Sequence, residues 1–290
     1  MNFTRLSLLL LTIKSCSAFI CNDILRFGFR IATSKNGVIW PNIQNMRTKY
    51  NHIDKNNTLV YPIYYLNDFH AYDGGNLNWR AAEECEAATS GVLSFHYQNT
   101  TGFEANEIVR GSLVTMLKDH LPELSNLEIV DMASGIGYST NSIDKSLPGN
   151  NIIGVEMSPY FINKANELFP MFEYLNQNAE STSIETNSKD IVFVSYLFHE
   201  LPLDASINVI KEVSRILKKN GKLAFIDMKS GSRASNIFSQ FIFDRTEPFL
   251  HEYKLFTEKR IEILHKYGFE IVSVEEDIPK TTIFVALKTT

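Results

Sequence analysis

The amino-acid sequence predicts an α/β fold: a mostly parallel, seven-stranded sheet flanked by helices, with its last strand antiparallel and an N-terminal helical lid in front of it. Three observations point there. From Leu127 onward, short apolar runs alternate with amphipathic helical patterns, the signature of βαβ units. One such unit carries a glycine-containing turn directly between its strand and its helix. The last two apolar runs have no helix between them, so they pair as antiparallel neighbours.

The preface to the sheet has a different character. Residues 1–50 hold seven of the 28 basic residues and one of the 33 acidic ones. Leu6 to Ile13 (LSLLLLTI) follows Arg5 and precedes the small residues SCSA, which is the order of a signal peptide, with the cut expected after Ala18. The stretch FICNDILRFGFRIATSKNG that follows is poor in acid and punctuated by arginine, as organelle transit peptides are. Residues 1–18 and 19–57 together therefore resemble the two-part plastid leader of algae with secondary plastids. Plain secretion and an ordinary N-terminal arm are the alternatives. Asn56 and Asn99 stand in N-x-T sequons, which matter only in the secretory lumen. The apolar run is shorter than the roughly 20 residues of a membrane helix. FSQFIF near 240 meets Asp244 and Arg245 at once, so no spanning helix is expected.

Composition bounds the rest. A chain of 290 residues, 44% hydrophobic and 21% charged, has apolar material for one large core plus an appendage, which excludes a disordered class. The net charge of -5 supplies no basic field for a phosphate backbone, so nucleic acid is not expected as a partner. Cys16, Cys21 and Cys85 match neither a zinc spacing nor a disulfide framework. Nothing marks an oligomeric state.

Residues 58–126 are assigned to the lid region and 127–290 to the sheet domain. The expected strands are LEIVDM (127–132), NIIGVE (151–156), FEYLN (172–176), DIVFVSY (190–196) and KLAFIDM (222–228), each brief and apolar as doubly covered parallel strands are. SPYFINKANELF reads as a helix capped by Ser158, and DASINVIKEVSRILKKNG as one capped by Asp204 and stopped by Gly221. TEKRIEILHKYG is a capped helix ending at Gly268, followed by FEIVSVEE and TTIFVALK.

The chemistry sits in IVDMASGIGYST, residues 129–140, where a strand ends, the chain turns through Ala133, Gly135 and Gly137, and a helix begins. Such a turn lets backbone approach a ligand closely and cradles nucleotides. Glu156 closes the next strand, 21 positions beyond Gly135, where an acid accepts hydrogen bonds from a ribose diol. NAD and S-adenosylmethionine both carry that ribose. Thr140 stands at the third position of G-x-G-x-x-G, and Asp131 would repel a pyrophosphate but favour an ammonium group, so the balance is toward S-adenosylmethionine.

DMASGIGYST, GVEMSP, NAE, DIVFVSYLFHELP and EVSRILKKNGKLAFIDM, in that order across residues 127–228, resemble the successive motifs of class I S-adenosylmethionine-dependent methyltransferases, a Rossmann-like fold. The resemblance implies that Asp131 engages the methionine end of the cofactor through its loop, that Gly135 and Gly137 line it, and that Glu156 holds the ribose. Met157 would pack on adenine, with Ala179 and Asn178 or Glu180 at its edge. Ala133 replaces the usual first glycine, so the turn is expected to avoid positive φ there. FHAYDGGNLNWRAAEECEAAT (69–89) and RTEPFLHEY (245–253) resemble a loosely described plant and algal group of these enzymes. In many class I enzymes the chain before the first strand folds over the cofactor, which makes Phe69, His70, Tyr72 and Trp79 lid candidates.

His199 and Glu200 follow the fourth strand at the ligand-binding edge of the sheet. A zinc H-E-x-x-H is rejected, because position 203 is Leu and Pro202 breaks the required helix, so no metal is expected. His199 is the candidate general base, and Tyr72 and Tyr196 are candidates for stabilising the sulfonium. A small-molecule acceptor is expected, apolar or aromatic in view of Phe238, Phe241 and Phe243. A NAD-dependent oxidoreductase and an inactive cofactor-binding assembly factor are the competing readings.

Overall fold

Strands β1 (Glu128–Met132), β2 (Asn151–Glu156), β3 (Glu173–Asn176), β4 (Lys189–Ser195), β5 (Leu217–Met228), β6 (Phe269–Glu275) and β7 (Thr281–Lys288) form one sheet in the order β3-β2-β1-β4-β5-β7-β6. All pairs are parallel except β5 with β7 and β6 with β7. The expected seven-stranded sheet with its antiparallel last strand is therefore present. The structure is a computed structural model, and it describes residues 18–43, 58–97, 100–230, 246–278 and 281–290. The expected signal segment before Ala18, both sequon asparagines, and Phe238, Phe241 and Phe243 lie outside the described residues.

The helices are α1 (Ala18–Ser34), α2 (Trp79–Ser94), α3 (Gly102–Lys118), α4 (Tyr138–Ser146), α5 (Pro159–Leu168), α6 (Leu203–Ile216) and α7 (Leu250–Lys266). Alternation along the central strands divides the core between two faces. Val130, Val192, Val194, Leu223 and Phe225 pack under α6 and α7 with Val209, Val213, Phe256 and Leu264. Ile129, Ile191, Phe193, Ala224 and Ile226 point the other way, onto Val109, Leu113 and Leu117 of α3 and Ile143 of α4. Within the region assigned to the lid, α3 is thus a covering layer of the sheet, and α2 with the loop before it forms the overlying part, onto which α1 packs from the preceding segment.

Local boundaries correct several expectations. Ser158 does cap α5, accepting from the Phe161 N–H at 3.3 Å, but α6 starts at Leu203 without a side-chain cap, and Asp204 lies in its first turn. Gly221 does not end that helix. The chain passes from Ile216 directly into β5, and Gly221 lies within the strand, where a Cβ would meet the Lys218 carbonyl at 2.8 Å. α7 begins seven residues before Thr257, whose hydroxyl donates to the Lys254 carbonyl and caps nothing. Gly268, at φ +78°, does turn the chain out of α7 into β6.

The sheet order reverses at β1, whose neighbours are β2 and β4, and loops leaving these strands in opposite directions open a crevice at their carboxyl ends. The lid closes over that crevice. Lys164 of α5 pairs with Glu83 of α2 at 2.9 Å, and Ser158 donates to the Asn76 carbonyl at 2.6 Å.

Candidate active site

A cavity of about 1500 Å³ occupies the crevice and runs from the β1–α4 turn to the ends of β4 and β5. The turn sits on Asp131, which is fully buried and accepts hydrogen bonds from Ser139 Oγ at 2.6 Å and Thr140 Oγ1 at 2.7 Å. Burial raises its carboxyl to about 6, with the two hydroxyls and Arg110 opposing. Asp131 therefore lies behind the turn and does not line the cavity.

The turn itself departs from expectation at two residues. Ala133 has φ +59° and so does occupy the left-handed region that it was expected to avoid. Its methyl is small enough for that conformation, at a cost of roughly 1–2 kcal/mol. Gly137 does not line the cavity. At φ +86° it stands at the start of α4, and a Cβ there would collide with the Tyr174 hydroxyl. Its glycine answers to packing and backbone sign, while Gly135, at φ +56° with open space beside it, is the one that faces the cavity.

Glu156 joins this turn to the second strand. Its Oε2 accepts from the Gly135 N–H at 3.0 Å and its Oε1 from the Ser158 N–H at 2.7 Å. Burial pushes the carboxyl up to about 7, against those backbone donors and with some help from Glu200. Met157, Asn178, Ala179 and Glu180 continue the same wall. Tyr64, on the short helical turn Ile63–Leu66, reaches in from the lid and donates to Glu180 at 2.6 Å. Tyr65 beside it lies 3.5 Å from Glu156. Neither tyrosine was singled out from sequence, since each lies far along the chain from its carboxylate, 116 positions for Tyr64 and 91 for Tyr65.

An adenosine joined to an amino acid fits these features. The glycine turn leaves its backbone open, with nothing within 4 Å of a Cβ at Gly135, and Met157 with Ala179 offers an apolar floor. The acid under the turn opposes a pyrophosphate.

Beyond the end of β4, His199 lies on the turn Phe198–Glu200 and is 6% exposed. Its Nδ1 lies 2.7 Å from Asp227 Oδ1, and Asp227 also accepts from the Phe198 N–H at 2.8 Å. Burial opposes charge on the imidazole, yet Asp227, with Glu200 and Glu247, outweighs it and raises the ring to about 9. Asp227 is the partner that the sequence could not supply, being 28 positions away at the end of β5. His70 comes from the lid loop, 6.4 Å from His199 between ring centres and 3.1 Å from Glu247.

Both tyrosine candidates line the cavity, and the Tyr72 hydroxyl turns away from it. Tyr72 donates to Glu84 at 2.7 Å inside the lid. Tyr196 faces Thr281 across 3.4 Å, and burial raises its phenol to about 12. Of the other lid candidates, Phe69 is buried beside the cavity, and Trp79 opens α2 outside its lining. Cys85 lines the cavity as a free thiol pushed up to about 12 by burial, which keeps it unreactive.

Residues 130–225 match the family described as a methyltransferase domain. An uncharacterized methyltransferase-like protein of Schizosaccharomyces pombe is 31% identical over 98 residues, 34% of this chain and 37% of that protein. The ubiquinone/menaquinone biosynthesis C-methyltransferase UbiE of Campylobacter jejuni is 28% identical over 109 residues, 35% of this chain and 45% of that one. The matched region thus spans less than half the length of these curated relatives. Among solved structures, the Haemonchus contortus phosphoethanolamine N-methyltransferase 2, in complex with phosphomonomethylethanolamine and S-adenosylhomocysteine, superposes with TM-score 0.54 at 17% identity, covering 73% of this chain and 60% of that one. It shares the fold. Sheet order and domain match agree on a Rossmann-like class I methyltransferase fold, with residues 130–225 matching the methyltransferase domain.

Proposed function

We propose that this chain transfers the methyl group of S-adenosylmethionine to a small-molecule acceptor held between the lid and the ends of β4 and β5. The observation that carries this reading is the link from Gly135 to Glu156, which makes the turn and the acid one wall of a cavity that continues to His199, backed by Asp227. The cofactor supplies an activated methyl, and the chain supplies alignment and exclusion of water. Glu156 is placed to accept from a ribose diol, Met157 and Ala179 to flank a base, and the open backbone at Gly135 to meet the amino-acid end. The rings of Tyr72 and Tyr196 shape the space for the reacting centre.

Beyond that centre the cavity is apolar on the side of α1 and α2, where Leu25, Phe29, Trp40, Val92 and Phe95 bound it. These residues support an acceptor with an apolar or aromatic part, and the polar cluster around His199 supports one that carries an exchangeable proton. The N-terminal leader belongs to the same proposal. A cut after Ala18 leaves nearly all of α1 in the mature protein, and the leader delivers it to a plastid or the secretory lumen.

Titration calorimetry with S-adenosylmethionine and with NADH tests the cofactor, and formation of S-adenosylhomocysteine in an extract supplied with labelled methyl donor tests the reaction. Tight binding of NADH with none of S-adenosylmethionine would overturn the reading, as would failure of the purified chain to turn over the methyl donor with any acceptor in an active extract.

A further inference from the structure

Next to the wall that carries Glu156, four potential metal-ligating side chains converge from three separate stretches of the chain. His70 Nε2 lies 3.1 Å from Glu247 Oε1 and 3.8 Å from Glu200 Oε1, and His199 Nε2 lies 4.0 Å from that same Glu200 oxygen. Donor atoms of His70, His199 and Glu247 all fall within 4.8 Å of one another. We propose that His70, His199 and Glu247, with Glu200 beside them, form a binding site for one divalent first-row transition ion at the acceptor end of the cavity.

Three features favour an ion over a plain hydrogen-bond network. His199 gives its Nδ1 to Asp227 at 2.7 Å, which leaves Nε2 toward the cluster, the carboxylate–histidine arrangement that orients metal-binding imidazoles. Glu247 spends one oxygen on His70, and its other, Oε2, is buried with no hydrogen-bond partner among the described residues. Such an atom costs stability unless something satisfies it. His70 and Ala71 both hold left-handed backbone, at φ +51° and +62°, and the His70 N–H donates to the Thr246 carbonyl at 3.0 Å. That bond ties His70 to the residue preceding Glu247, and strain of this kind collects where a side chain must be aimed.

The donor set selects the ion. Two imidazoles with one or two carboxylates suit Zn²⁺, Mn²⁺, Fe²⁺ or Co²⁺, whereas Mg²⁺ and Ca²⁺ prefer oxygen alone. Bonds of about 2.1 Å place adjacent donors roughly 3 Å apart, so the His70–Glu247 pair is already at ligating separation and His199 closes by an ångström or so. The sequence rule that rejected H-E-x-x-H holds for residues 199–203 and is silent about this site, because His70 and Glu247 lie 129 and 48 positions from His199. If the methyl-transfer reading is right, the open side of the ion faces the acceptor and suits one that presents an oxygen.

The test uses the untagged full chain, stripped with chelator and titrated with Co²⁺. Expected are one equivalent bound per chain and visible ligand-field bands. His70→Asn and Glu247→Gln should each abolish the bands, and Asp227→Asn should weaken binding about 10–100-fold. S-adenosylmethionine affinity, measured on the same samples, reports folding through residues outside the cluster. Absence of bands in wild type, or bands unchanged in both ligand variants, overturns the proposal. That outcome with S-adenosylmethionine still bound leaves the functional reading standing, and bands without cofactor binding would do the reverse.

Discussion

The Gly135 N–H donates to Glu156 Oε2 at 3.0 Å, so the turn after β1 and the acid at the end of β2 are parts of one wall. Glu156→Ala is expected to lower S-adenosylmethionine affinity at least tenfold in calorimetry, because it removes the ribose acceptor and releases the turn together. Unchanged affinity would remove Glu156 from the site.

The same carboxyl sets a pH dependence. Its pKa is raised to about 7 by burial, while a ribose diol donates to the carboxylate form. Affinity should therefore fall as pH drops below about 7, by at most about tenfold per unit, and level off above it. Glu156→Gln should flatten that profile. For the ligand-free protein the sign is opposite. The folded state keeps this proton longer than the unfolded one, so Glu156 makes stability decline as pH rises from the ordinary carboxylate range to about 7.

Ala133 and Gly137 both hold positive φ, for different reasons, and their substitutions should separate. Ala133→Gly relieves left-handed strain and should be neutral or stabilising by up to about 1 kcal/mol in urea unfolding. Gly137→Ala drives a Cβ into the Tyr174 hydroxyl in addition to backbone strain and should destabilise by about 2 kcal/mol or more. Equal effects would mean that the packing against Tyr174 is not what requires glycine.

Tyr72→Phe should cost about 1–2 kcal/mol of stability, because Glu84 is fully buried and loses a donor, retaining Arg30 at 2.9 Å. Turnover under saturating donor should stay within a few-fold, since the phenol points into the lid. A large loss of turnover with stability intact would restore a polar role at the reacting centre.

α1 is bound to the lid through Arg30 on Glu84, Arg26 on the Ala71 carbonyl at 2.8 Å and Asn22 on Asp73 at 3.3 Å. A chain beginning at Phe19 should melt like the full protein, whereas one beginning after Ile43 should melt about 5 °C lower or more, with Glu84 stripped of its cation. Equal melting temperatures would show that α1 is dispensable, which would fit removal of the whole segment as a transit peptide.

The sheet, its order of elements and the strand-turn-helix beside the cavity were legible in sequence because they depend on neighbours close along the chain. Apolar runs mark buried strands, Ser158 precedes the helix it caps, and the turn at residues 133–137 stands directly before its helix. Errors clustered where local rules met packing. Gly221 looked like a helix stop but lies within a strand, since the α6–β5 passage is set by where β4 and β7 fall beside it. Ala133 holds a positive φ that its residue type alone does not predict.

By itself the sequence determined the α/β class, the position of the turn and the identity of the acid that closes β2, because periodicity and glycine placement encode local backbone. Only tertiary structure decided what surrounds His199. Asp227, Glu247 and His70 reach it from β5, the segment before α7 and the lid, and the distances between residues so far apart in sequence are fixed by how the layers pack.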